Sequence, residues 1–176
     1  MTAVCPGSYD PVTVGHLDVI TRAEALFGDV IVAVGQNSSK SCLFDIKQRI
    51  AMLEAAIAEI PSVRTPNAPA TSSVRVLPLT GLLVDFCRSH GADVIVKGIR
   101  FASDLDYELQ MAHVNAELTG VETVLLPSSR EWGTISSTMV RDVFRHGGDV
   151  SAFVPSVVAE LIGGKAPGVQ KEGTHG

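Results

Sequence analysis

Residues 3–27, "AVCPGSYDPVTVGHLDVITRAEALF", decide the fold. A short apolar run, Ala3–Cys5, reaches Gly7, where the backbone can turn sharply. After Pro11 a helical period runs from Leu17 to Phe27 through Val19, Ile20, Ala23 and Leu26. Strand, tight turn and helix in one short stretch make a βα unit, and repeats of that unit build a parallel sheet. The alternation continues along the chain. Apolar runs bounded by turn residues predict further strands at Val30–Val34, Val74–Leu77, Val94–Val96 and Val124–Leu126. Helical periods between them predict Ile46–Ile60, capped by Asp45, then Leu82–His90 closed by Gly91, Leu105–Leu118 and Thr138–Arg145. A short last helix is expected over Pro155–Ile162, with Pro155 in its first turn. The expected architecture is α/β, a doubly wound sheet of five mainly parallel strands with helices on both faces, in a single domain over 1–162.

Composition agrees with that reading. The chain has 176 residues, 45% of them hydrophobic and only 5% aromatic, so the core should be built of Val, Ile, Leu and Ala, as parallel sheets usually are. Fourteen Lys plus Arg against nineteen Asp plus Glu give a net charge of -5 with no block of like charges, which argues against nucleic-acid binding. Cys5, Cys42 and Cys87 lie far apart with no Cys-x-x-Cys pair, so neither a zinc site nor a disulfide framework is expected, and a reducing cytoplasm fits. No apolar stretch reaches about 18 residues, and no basic-then-apolar leader opens the chain, so a protein that is soluble, not exported and free of the membrane is expected. Pro61–Ser73, rich in Pro, Ser, Thr and Ala, reads as an exposed loop, and 163–176 as a disordered tail.

Ligands of an open parallel sheet bind beyond the carboxyl ends of its strands, where helix N-termini also point. Four stretches fall there. After the first strand, Ser8, a capping Thr13, Gly15 and His16 offer an anion a hydroxyl, helix amides and an imidazole, although an ordinary tight turn fits equally. After the second strand, "QNSSKSCLF" carries Lys40. After the fourth, Lys97 and Arg100 flank Gly98, and downstream Glu108 falls within an apolar stripe of Leu105, Leu109, Ala112 and Ala116. A carboxylate there must pair within the protein or meet a ligand. After the fifth, Ser136, Ser137 and Thr138 open a helix whose first turn lacks a carboxylate, leaving its positive end for an anion, although taken alone the stretch fits an ordinary Ser cap better. His90 and His146 end helices and His113 sits mid-helix, so these are read as structural, and Cys87 as packing. Neither Gly-x-x-x-x-Gly-Lys-Ser/Thr nor Gly-x-Gly-x-x-Gly occurs, which removes the central feature of P-loop kinases and dinucleotide dehydrogenases.

With these residues placed, the sequence resembles the bacterial phosphopantetheine adenylyltransferases, nucleotidyltransferases with a His-x-Gly-His-like motif, from about Ala3 to Ile162. The resemblance is carried by "PGSYDPVTVGH" (6–16), "KGIRFASDLDYELQMAH" (97–113) and "EWGTISSTMVRDV" (131–143). It implies a Rossmann-like fold and, in coenzyme A biosynthesis, reaction of ATP with 4'-phosphopantetheine to give dephospho-coenzyme A and pyrophosphate, with magnesium. It also implies a cytoplasmic homohexamer with no protein metal ligands identified. By the family pattern ATP would meet Ser8, Tyr9, His16, Gly98, Ile99, Arg100, Glu108, Trp132, Gly133, Thr134, Ile135, Ser136, Ser137 and Thr138. Phosphopantetheine would meet Ser8, Lys40, Leu83 and Lys97. His16 would stabilise the transition state, helped by Lys40 and Arg100. Two departures stand out: Lys97 where many relatives have Arg, and Gly133-Thr134 where bulkier residues are expected. The alternatives are an adenylyltransferase or cytidylyltransferase for another substrate such as nicotinate mononucleotide, a non-catalytic ATP-binding regulator, or a relative of class I aminoacyl-tRNA synthetases, which the acidic balance and small size disfavour.

Overall fold

The structure, a computed structural model, describes residues 1–36, 42–60 and 73–163. Lys40, the loop 61–72 and the tail from 164 onward therefore lie outside the described residues. Each of the five predicted strands is present and longer than expected: β1 (Thr2–Gly7), β2 (Asp29–Gly35), β3 (Ser73–Leu79), β4 (Val94–Ile99) and β5 (Glu122–Pro127). The sheet order is β3-β2-β1-β4-β5 and every pairing is parallel. Ser73 belongs to β3 rather than to the preceding loop, and its hydroxyl donates to the Asp29 carboxylate on β2 at 3.0 Å.

Alternation along the strands builds two cores. Ala3 and Cys5, Val30, Val32 and Val34, and Val94 and Val96 face one side, while Val4, Ile31, Ala33 and Ile95 face the other. Both faces are covered, which is why these strands read as continuous apolar runs. Helix α1 (Val14–Phe27) brings Ile20 and Ala23 to the larger core, and α2 (Ile46–Glu59) brings Met52, Leu53 and Ala56. Helix α3 (Leu83–Ser89) puts Phe86 and Cys87 on the opposite face, confirming Cys87 as packing. Helix α4 (Ala102–Thr119) follows β4, α5 (Ser137–Arg145) follows β5, and α6 (Ser156–Gly163) returns to pack on α2.

The helix starts follow from their caps. Thr13 caps α1, Asp45 caps α2 and Ser136 caps α5, each side chain accepting a backbone N–H of the first turn. One close approach depends on glycine: a Cβ on Gly98 would lie 2.8 Å from Val19 Cγ2, so α1 can pack against β4 only where residue 98 has no side chain.

The apolar stripe expected on α4 is corrected at Leu109. Leu109 is exposed, the only buried residue of the helix is Asn115, and Tyr107, Val114 and Leu118 also face outward. The face turned inward carries Asp104, Glu108, Met111 and Asn115, at helical spacing of four, three and four. Of the expected stripe, Leu105, Ala112 and Ala116 are half-buried and Ala112 lines an opening beside Met111 and Asn115, so only Leu109 turns to the surface, and the inner face borders an opening instead of the core.

Candidate active site

The carboxyl ends of β1, β4 and β5 open into a cleft of about 470 Å3. Its walls bring together Ser8, Tyr9 and His16 from the first loop with Lys97, Gly98, Arg100 and Glu108 from the fourth strand and its helix. Trp132, Ile135 and Ser136, Ser137 and Thr138 close it from the fifth. A second opening of about 300 Å3 adjoins it, sharing Ser8, Lys97 and Glu108, and it is here that Leu83 lies. Ile99, Gly133 and Thr134 line neither opening.

Three ties lock the loops. The Asp18 carboxylate on α1 accepts the Ser129 hydroxyl at 2.7 Å, and Arg22 donates to the Pro127 carbonyl at 2.6 Å, so α1 and the end of β5 are joined. Asp10, 2% exposed, accepts the amides of Leu43 and Phe44 at 2.8 and 2.9 Å. Arg141 on α5 donates to the Asp10 carbonyl at 2.6 Å and stands 3.7 Å from its carboxylate. A buried carboxylate satisfied in this way carries a structural load that its place in a turn did not announce.

His16 occupies the third position of α1 and doubles back to its cap. Its Nδ1 accepts the Thr13 backbone N–H at 3.0 Å and lies 3.0 Å from the Thr13 hydroxyl. An Nδ1 that accepts an amide hydrogen leaves the ring proton on Nε2, so the imidazole is a neutral donor. Burial, then the positive charges of Arg100 and Lys97, lower its pKa from 6.5 to about 4. The Tyr9 ring stands edge-on to the imidazole, with centroids 5.0 Å apart, and the Tyr9 hydroxyl donates to the Cys5 carbonyl at 2.8 Å. Tyr9 thus backs the histidine from a left-handed backbone conformation, φ +49°, which a bulky residue adopts only when its surroundings hold it there.

Neither cation at the carboxyl end of β4 is bare. Lys97 Nζ lies 3.1 Å from Glu108 Oε1, the internal pairing that was one of two readings of Glu108. Arg100 grips Asp104 through its Nε at 3.1 Å and Nη2 at 3.2 Å. Burial pushes the Asp104 carboxyl up, but the hydrogen bonds and charge of Arg100 outweigh it and hold the group below its usual value. Asp104 was not singled out from sequence, though its spacing of four from Glu108 is a helix-face signal. On α5 the hydroxyls are already engaged: Ser136 Oγ caps the Met139 amide, Ser137 Oγ donates to the Pro11 carbonyl, and Thr138 Oγ1 accepts from Arg141. What the helix end retains for an anion is the N–H groups of Ser137 and Thr138, which have no intrahelical acceptor.

Among the described residues no three His, Cys, Asp or Glu side chains converge as a metal cage.

The cytidylyltransferase-like family model matches residues 4–143. The chain is 47% identical to a phosphopantetheine adenylyltransferase of Cutibacterium acnes over 95% of this chain and 99% of that protein. It is 51% identical to one of a Nocardioides species, over 89% and 91%. A solved nicotinic acid mononucleotide adenylyltransferase of Plasmodium falciparum superposes over 93% of this chain and 94% of its own, with a TM-score of 0.65 at 15% identity, a likeness of fold.

Proposed function

This chain belongs to the phosphopantetheine adenylyltransferases, within the cytidylyltransferase-like nucleotidyltransferases, and we propose how its cleft performs their reaction. The enzyme transfers the adenylyl group of ATP to 4'-phosphopantetheine, giving dephospho-coenzyme A and pyrophosphate. A nicotinate mononucleotide acceptor is not favoured, since the relatives at that identity bear the other name.

The acceptor needs no base. A phosphate monoester has a second pKa near 6 and is already largely dianionic at neutral pH. Its oxygen attacks the α-phosphorus of ATP, the bond from that phosphorus to the bridging oxygen breaks, and the electron pair leaves with pyrophosphate. The protein's task is to hold two repelling anions in line and to meet the charge that grows on the α-phosphate. His16 Nε2–H donates to a non-bridging α-oxygen. Arg100 and the Ser137 and Thr138 amides grip the β- and γ-phosphates, with Ser8 at the junction of the two openings. Trp132 and Ile135 bound the adenosine side, and Tyr9 and Glu108 act by holding His16 and Lys97. Lys97, released in part from Glu108, and Lys40 orient the acceptor's phosphate, whose pantetheine arm follows the second opening past Leu83. Magnesium held by the nucleotide's own phosphates would supply neutralisation of their charge there.

The observation supporting this reading most strongly is the meeting of His16, Lys97, Arg100 and the α5 N-terminus at one cleft. The oligomer is a homohexamer whose contacts include the exposed α4 face of Tyr107, Val114 and Leu118. The cytoplasm is its compartment, which suits three free thiols. Incubation with ATP, magnesium and 4'-phosphopantetheine should yield dephospho-coenzyme A by mass. Product from nicotinate mononucleotide instead, or none from either, would refute the assignment.

A further inference from the structure

Arg49 stands where α2 should be apolar. Its neighbours on that face, Met52, Leu53 and Ala56, are core residues, and Arg49 itself is only 3% exposed. Nη1 donates to the Ser8 carbonyl at 2.6 Å and to the Gly35 carbonyl at 3.0 Å, while Nε is buried with no partner. Among the described residues no carboxylate lies within ion-pair distance of it.

A guanidinium removed from water with only carbonyl dipoles for company is costly, and volume-matched apolar residues often replace buried charges without loss of stability. The two carbonyls it holds are informative. Ser8 lines both openings, and Gly35, at the end of β2, lines the second. Arg49 therefore lies directly behind the loop on which both anionic substrates converge.

We propose that Arg49 is a positioning residue for the acceptor's phosphate: it tethers the Ser8 loop to the end of β2 and leaves beneath it a positive charge that no carboxylate among the described residues pairs and that the bound phosphate does. This rests on the acceptor site proposed above. It differs from a purely structural tether in one respect, because only the charge distinguishes a phosphorylated ligand from an uncharged one.

The test uses the full chain and compares calorimetric affinities for 4'-phosphopantetheine and for pantetheine, which lacks the phosphate. Arg49→Met should weaken 4'-phosphopantetheine binding by about 10-fold and leave pantetheine binding within about 2-fold, as loss of a charge near a phosphate does. Arg49→Lys, which keeps the charge without the fork, should retain most of the preference. If Arg49→Met does not fold, Arg49→Gln is read in the same way. Equal loss for both ligands, an unchanged preference, or an Arg49→Lys as impaired as the neutral variant overturns the proposal while the acceptor assignment stands. A parent protein that does not prefer the phosphorylated ligand removes the acceptor assignment, and this proposal with it.

Discussion

At His16 two influences act in the same direction. Burial disfavours the imidazolium, and the neighbouring cations Arg100 and Lys97 disfavour it further, so the ring stays neutral through the physiological range. A group whose folded pKa lies below its unfolded one adds stability that is complete above about 6.5 and is lost as pH falls toward about 4. Two consequences follow at this scale. The NMR resonances of the His16 ring should not titrate between pH 8 and about 5, and an inflection near 6.5 would contradict the neutral donor. The acid limb of turnover should then follow the second ionisation of the acceptor's phosphate, near 6, and should persist when the other histidines are replaced. Thr13→Ala should cost about 1 kcal/mol of stability in thermal melts through the lost cap. Turnover should fall far less than on loss of His16, since the Thr13 amide still holds Nδ1.

At the scale of elements, α1 and α4 show what the sequence could and could not reveal. The start of α1 was legible because Thr13 followed by a helical period is a local signal, and local signals survive folding. The strand positions were legible for the same reason, although their ends were drawn short because β1, β4 and β5 run on into loops built of Pro, Gly, Lys and Arg. Helix α4 was placed correctly, but Leu109 of its expected stripe faces outward and the inner face is more polar than a core-facing helix's. Its outward Tyr107, Val114 and Leu118 and inward Asp104, Glu108 and Asn115 depart from the usual pattern, since the inner face lines a cavity. The ion pairs of Lys97 and Arg100 were hidden until the rotation of that helix was known. The seat of α1 on β4 gives a prediction of its own. Gly98→Ala would drive a methyl group to 2.8 Å from the stiff Val19 side chain, costing about 1–3 kcal/mol. Turnover should fall with it as α1 and His16 shift, and an unchanged melting temperature would show that α1 is free to move.

For the molecule as a whole, the doubly wound sheet brings residues distant in sequence together, and every strand contributes residues to the two adjoining openings. The alternation of inward apolar residues on β1, β2 and β4 specifies both covered faces, so the fold class was readable from apolar runs alone. The outward apolar residues of α4 were not readable in that way, since they are recognised only once the helix is placed. Tyr107→Glu together with Leu118→Glu should lower the mass seen by light scattering from that of a hexamer to smaller species, while a monomeric parent would contradict the proposed assembly. The central claim is that fixed donors, with no protein base or nucleophile, catalyse the transfer. It is tested most directly by the single-turnover rate of dephospho-coenzyme A formation by His16→Ala at saturating ATP and 4'-phosphopantetheine. Loss of a donor made only in the transition state should slow that rate by about 10²-fold or more, and a rate within about 3-fold of the parent would contradict the account.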